Sequence, residues 1–135
     1  MKPIYLLTLL ALVAACPIGP TVESFTPARS PQGIAANIRL NDRAKTQIVG
    51  ELLEVRDSTL LILRDTTRLL LIPIRAIRTG SFPKRGTLII DGNLTRGDRE
   101  KLRLVSRFPA GLRPEVESRF LAAYGQTEPE QVPHP

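Results

Sequence analysis

From residue 34 to residue 90, apolar positions either alternate with polar ones or gather in short runs bounded by turn residues. Ile34, Ala36, Ile38 and Leu40 fall on one face of an extended chain, which predicts a strand over 34–40. Asn41-Asp42-Arg43-Ala44 follows as a turn, because short polar side chains accept local backbone hydrogen bonds. The same reading predicts strands over 46–55, 59–63 and 68–72, separated by Asp57-Ser58 and Asp65-Thr66-Thr67. Leu60-Leu61-Ile62-Leu63 and Leu69-Leu70-Leu71-Ile72 are continuous apolar runs, too short for helices. They read as strands covered on both faces. Pro73 ends the fourth strand as a ladder donor. Ile74-Arg75-Ala76-Ile77 then makes a short turn into a fifth strand over 78–82. Gly50 lies inside the second strand, where glycine marks a bulge or sharp bend. Small barrels close by bending long strands. The expected fold class is therefore mainly β (α+β), a small barrel of four to five strands over 34–82.

The pattern changes after residue 82. Thr87-Leu88-Ile89-Ile90 is strand-like and Asp91-Gly92-Asn93 is a turn. A short helix is expected over 99–107, capped by Asp98, with Leu102 and Val105 inward and Pro109 as its stop. A second is expected over 114–124. Pro114 suits its first turn, Glu115 and Glu117 complement its dipole, and Val116, Phe120 and Tyr124 align at i, i+4 and i+8. Gly125 would cap it. This strand and helical extension spans 83–125. Residues 126–135 contain Pro129, Pro133 and Pro135 and are expected to form a disordered tail.

The N-terminus reads differently. Met1-Lys2 precedes an uncharged apolar run of twelve residues, 4–15, ending in Val13-Ala14-Ala15 and followed by Cys16. A membrane-spanning helix needs about 20 apolar residues, so this run suits a cleaved signal instead. The pattern resembles the signal peptide and lipobox of bacterial lipoproteins. That resemblance implies export, cleavage after residue 15, and lipidation of Cys16 with a diacylglycerol. It also implies a membrane-anchored lipoprotein of the cell envelope. Pro17, not aspartate, follows the cysteine, which favours the outer membrane over the inner. Residues 16–33, with Pro17, Gly19, Pro20, Pro27, Pro31 and Gly33, read as a flexible Pro-rich tether after the lipidated cysteine. Cys16 is the sole cysteine, so no internal disulfide is available to the domain.

A second resemblance rests on Val49-Gly50-Glu51-Leu52-Leu53-Glu54-Val55-Arg56-Asp57, Thr59-Leu60-Leu61-Ile62-Leu63 and Leu71-Ile72-Pro73-Ile74-Arg75-Ala76-Ile77. These segments are similar to the small SH3/Sm-like barrel of Sm-like proteins, and small domains of this kind also occur in bacterial envelope proteins. Two departures limit what is implied. Leu60-Leu61-Ile62-Leu63 lacks the family's RNA-contacting Asn, and Ala76 replaces a Gly. The resemblance therefore implies the barrel shape and not RNA binding.

The formal net charge is +6, and +5 once residues 1–15 with Lys2 are removed. Residues 75–113 carry ten basic and three acidic side chains, a net of +7. Outside the cytosol such a region suits anionic lipid or lipopolysaccharide better than nucleic acid. Arg75, Arg78, Arg96, Arg99, Arg103 and Arg107 are its candidate anion-binding residues. The competing reading is a solvated face neutralised by acids elsewhere.

Catalytic chemistry has little to stand on. His134 is the one histidine and falls in the tail, where nothing would position it as a base. No Cys/His cluster suggests a metal. Asp91-Gly92-Asn93-Leu94-Thr95 echoes a calcium loop, but Arg96 and Leu102 stand where its Gly and bidentate Glu belong. Glu51, Glu54 and Asp57 read as carboxylates on a solvated barrel edge, and Arg96-Gly97-Asp98 as a chance tripeptide. The expectation is a non-catalytic structural or interaction module for an envelope protein, with no cofactor. The alternative is a peripheral binder of anionic membrane surface. A strand such as 34–40 at a sheet edge could also pair with a second copy.

Overall fold

The computed structural model describes residues 32–133. The signal-like segment, Cys16 and His134 lie outside the described residues. The element order is β1 (Ala35–Leu40), β2 (Gln47–Val55), β3 (Thr59–Arg64), β4 (Arg68–Pro73), a 3-10 turn (Ile74–Ala76), β5 (Ile77–Phe82), β6 (Gly86–Ile89), α1 (Arg96–Val105), α2 (Pro114–Ala123) and β7 (Glu130–Gln131). The strands form one sheet in the order β6-β5-β1-β2-β3-β4-β7, antiparallel except for β4 with β7.

Each connection has a local cause. Asp42 accepts hydrogen bonds from Thr46 N (2.8 Å) and Thr46 Oγ1, which closes the β1–β2 hairpin. Asp65 and Thr66 take φ of 50° and 57° in the three-residue connection 65–67, where Thr67 N donates to Arg64 O at 3.1 Å. Pro83 and Lys84, the latter at φ 63°, turn the chain between β5 and β6, with Arg85 N donating to Phe82 O at 3.0 Å.

One face of the sheet encloses the main core. Ile38, Leu52, Leu60, Ile62, Ile72 and Ile77 are wholly buried there, and α1 adds Leu102 and Val105. The opposite face of β2, β3 and β4 carries a second core. Leu53, Leu61, Leu63 and Leu69 meet Leu112 and Leu121, with Phe108, Val116, Phe120 and Tyr124 packed against them. The two apolar runs are thus covered on both sides, as their continuous pattern predicts. Val116, Phe120 and Tyr124 align inward on α2 for the same reason.

The structure corrects several expectations. The sheet is open. A closed barrel would join the free edges of β4 and β5, but β7 occupies one and β6 the other. β1 is an interior strand between β5 and β2, so it offers no edge to a second copy. The bulge in β2 falls between Leu52 and Glu54 rather than at Gly50. It keeps Glu54 on the outer face beside Leu53 and returns Val55 to the main core with Leu52. Gly50 serves a different need. A Cβ there would sit 2.5 Å from Leu63 O and 2.6 Å from the Ile62 side chain. α1 begins three residues early, at Arg96, because Thr95 and not Asp98 is its cap: Thr95 Oγ1 accepts from Asp98 N at 3.1 Å.

The expected disordered tail is ordered as far as Pro133. Leu69 N donates to Gln126 Oε1 (2.8 Å), Gln126 Nε2 donates to Leu69 O (3.2 Å), and Val132 N donates to Leu71 O (3.1 Å). Prolines are tolerated on such an edge strand because its outer side makes no ladder. Gly33, expected in the tether, is also fixed. Its N–H donates to Glu51 Oε1, and a Cβ on it would lie 2.2 Å from Leu52 O.

Candidate basic surface

The six candidate arginines divide into two groups. Arg99, Arg103 and Arg107 are half-buried and serve the fold. Arg99 Nη1 donates to the carbonyls of Arg56 and Asp57, both at 2.7 Å, tying α1 to the β2–β3 turn. Arg103, one helical turn on, pairs with Glu100 at 2.9 Å and reaches Asp57 at 3.8 Å. Arg107 makes a two-pronged pair with Glu51, Nε to Oε1 at 2.7 Å and Nη2 to Oε2 at 2.9 Å. Its guanidinium also lies 5.6 Å from the Phe120 ring centroid. Arg75, Arg78 and Arg96 are exposed. The structure therefore does not bring all six together as one free face.

The carboxylates expected on a solvated edge are partly enclosed instead. The bulge puts Glu51 opposite Leu63 and Glu54 opposite Leu61, both outer-core leucines. Their side chains are only 18% and 13% exposed. Glu54 accepts from Arg56 Nε at 2.7 Å and from Leu112 N at 3.1 Å. Arg56 Nη2 continues to Glu117 on α2 at 2.9 Å. Burial disfavours the charge on Arg56, but its hydrogen bond to Glu54 and the charges of Glu54 and Glu117 outweigh that and raise its pKa. These groups compensate one another, and each is occupied by a structural partner. Only Asp57 is fully exposed, as expected.

A different basic cluster sits at the β1–β2 hairpin. Arg39, Lys45 and Arg78 line a hollow of about 210 Å³ with Leu40, Asn41 and Asp42. The register explains the meeting. Arg39 pairs with Thr79 and Leu40 with Ile77, so Arg78 is the extra residue of a bulge in β5. The Asn41 Nδ2 bond to Arg75 O, at 2.9 Å, holds the hairpin against the 3-10 turn. Sequence reasoning missed Arg39, Arg43 and Lys45 because they lie outside the 75–113 charge run. Their alternate spacing across a turn was the available signal. Asp42, also in the hollow, has a lowered pKa, chiefly from the Thr46 hydroxyl and then the Thr46 N–H.

Among the described residues no group of three or more His, Cys, Asp or Glu could hold a metal ion. No helix among them is long and apolar enough to cross a membrane. No protein-family model, curated protein or solved structure matches this chain.

Proposed function

We propose that the chain is an exported lipoprotein, anchored through Cys16 in the cell envelope, whose folded part is a non-catalytic interaction module. The reading of its shape is an SH3/Sm-like barrel left open. Five successive strands return the fifth beside the first, and one face encloses one core, which supports that description.

One observation carries the interaction reading. Helix α2 covers the outer face of β2, β3 and β4, while among the described residues no helix packs on the outer face of β6, β5 and β1. Ser81 and Thr87 touch there at 2.8 Å, and Val49 and Ile89 stand in adjacent rows, 57% and 76% exposed. Beside Ile89, and three strands from Val49, the outer edge of β6 pairs with no strand among the described residues. An exposed edge next to apolar side chains is a template for an added strand.

The test places a photo-crosslinking side chain at Val49 or Ile89 of the full chain in an exporting bacterial cell. One discrete protein adduct from both positions, and none from Arg119 on α2, is expected. Equal labelling at all three positions would sink the reading. Loss of acyl labelling in Cys16→Ser is the separate test of the anchor.

A further inference from the structure

Pairing separates the basic residues more sharply than position in the sequence does. Arg56, Arg64, Arg68, Arg99, Lys101, Arg103 and Arg107 all engage acceptors of the fold. Arg39, Lys45 and Arg78 engage none among the described residues, yet they line one hollow. Arg43, equally unpaired, lies in the same hairpin turn. Three like charges lining one hollow repel one another, so the arrangement favours an anion that would relieve them. Asp42 in the same hollow stays ionised and offsets one of the three charges, but it forms no ion pair with them, so a net of two positive charges remains. Two guanidinium groups and one ammonium are the donor types that recognise a phosphate group.

Size narrows the ligand. Pockets for whole small molecules run from about 300 to 1,000 Å³. At about 210 Å³ the hollow takes a group rather than a molecule, so the remainder of the ligand must lie outside it. We propose that Arg39, Lys45 and Arg78 bind the phosphate of an anionic lipid headgroup, whose acyl chains stay in the bilayer. The site stands on its own geometry and not on lipidation of Cys16. If Cys16 is the anchor, the 15 residues between it and Gln32 reach at most about 50 Å, more than the roughly 20 Å length of β1. The hairpin end can then face the membrane that holds the chain.

The test uses the full chain in uncharged maltoside micelles doped with phosphatidylglycerol, read by amide and guanidinium NMR shifts. Saturable shifts confined to residues 39–46 and 77–79 are expected. A basic side chain near an anionic surface contributes about fivefold to binding. Neutralising three, in Arg39→Gln/Lys45→Gln/Arg78→Gln, should therefore raise the half-saturating lipid fraction by roughly 100-fold. The equal charge change at Arg96, Arg113 and Arg119 should raise it less than about threefold. Unchanged dispersion of the remaining amides shows that each variant is folded. Equal losses in the two triple variants would overturn the proposal in favour of diffuse charge attraction. Saturation by inorganic phosphate without any response to the lipid would overturn the lipid assignment, and no response to either would overturn the site.

Discussion

The Glu51–Arg107 pair joins the start of the described chain, the bulged strand and the α1–α2 connection, so it offers a direct measure of what holds the outer layer. Glu51 accepts two bonds from Arg107 and one from Gly33 N. The two side chains are 18% and 22% exposed. Hydrogen bonds to charged groups contribute about 1.5–3 kcal/mol each. Two would give about 3–6 kcal/mol if fully enclosed, but water reaches about a fifth of each side chain and screens the pair. We expect a coupling energy of about 2 kcal/mol. Glu51→Ala alone should cost more, about 3 kcal/mol, because it also strands the Arg107 charge and the Gly33 N–H. Arg107→Ala should cost a similar amount through its lost contact with Phe120 and its buried stem.

The assay is a double-mutant cycle by urea unfolding, run beside a cycle at Arg68–Glu130. That second pair makes a single contact at 2.9 Å, and its side chains are 60% and 50% exposed. Its coupling should be below about 0.5 kcal/mol and should vanish in high salt. The two cycles compare an enclosed, two-pronged pair with an exposed pair that makes one contact. Equal couplings, or a Glu51–Arg107 coupling below about 0.5 kcal/mol, would refute the claim that the bulge creates a shielded ionic layer.

Leu102→Ala, at a wholly buried position of the main core, should cost about 3 kcal/mol in urea unfolding and lower the midpoint without changing the slope. Thr95→Ala should cost about 1 kcal/mol by the same assay through loss of the α1 cap. Gly33→Ala should destabilise by more than the cap does, since its Cβ would meet Leu52 O at 2.2 Å and Arg107 N at 2.7 Å. Asp42 titrates below its ordinary 3.8 when folded, so its contribution to the hairpin is complete above that value and is lost as pH falls through the lowered one. Thr46→Ala should move the NMR titration of Asp42 upward toward 3.8, and an unmoved midpoint would show that Thr46 is not the cause.

The five central strands were legible because their signal is local. The alternation of Ile34, Ala36, Ile38 and Leu40 and the turn chemistry of Asp42, Asp65 and Thr66 act within a few residues. The leucine runs announced strands buried on both faces, and α2 showed its cap and its stripe. The bulge was misplaced because glycine permits a bend without requiring one. Leu52 and Leu53 reach the two cores by ordinary strand alternation, whereas the bulge keeps Glu54 on the outer face and turns Val55 into the main core, a shift that no residue of the strand announces. The tail misled for a related reason. Its prolines argue against strand propagation, yet the free edge of β4 supplies acceptors and donors that Gln126 and Val132 meet with only two ladder pairs. That strand on the edge of β4, with β6 on the edge of β5, leaves the sheet open where a closed barrel was expected.

The candidate site shows the same limit in electrostatic form. A charge run counts residues, whereas binding depends on which charges remain after the fold has used its share. Helix α1 turns Arg99 and Arg103 toward the β2–β3 turn, and Arg107 meets a glutamate 56 residues earlier in the chain. The densest stretch of the run is therefore the most neutralised. Arg39 and Lys45 belong to a stretch of unexceptional charge, and only the β1–β5 register brings Arg78 beside them. Substituting Glu at Arg99, Arg103 and Arg107 would accordingly unfold the outer layer before it could report on any surface. The variants that test anion binding cleanly are those at Arg39, Lys45 and Arg78, where no described acceptor loses its partner.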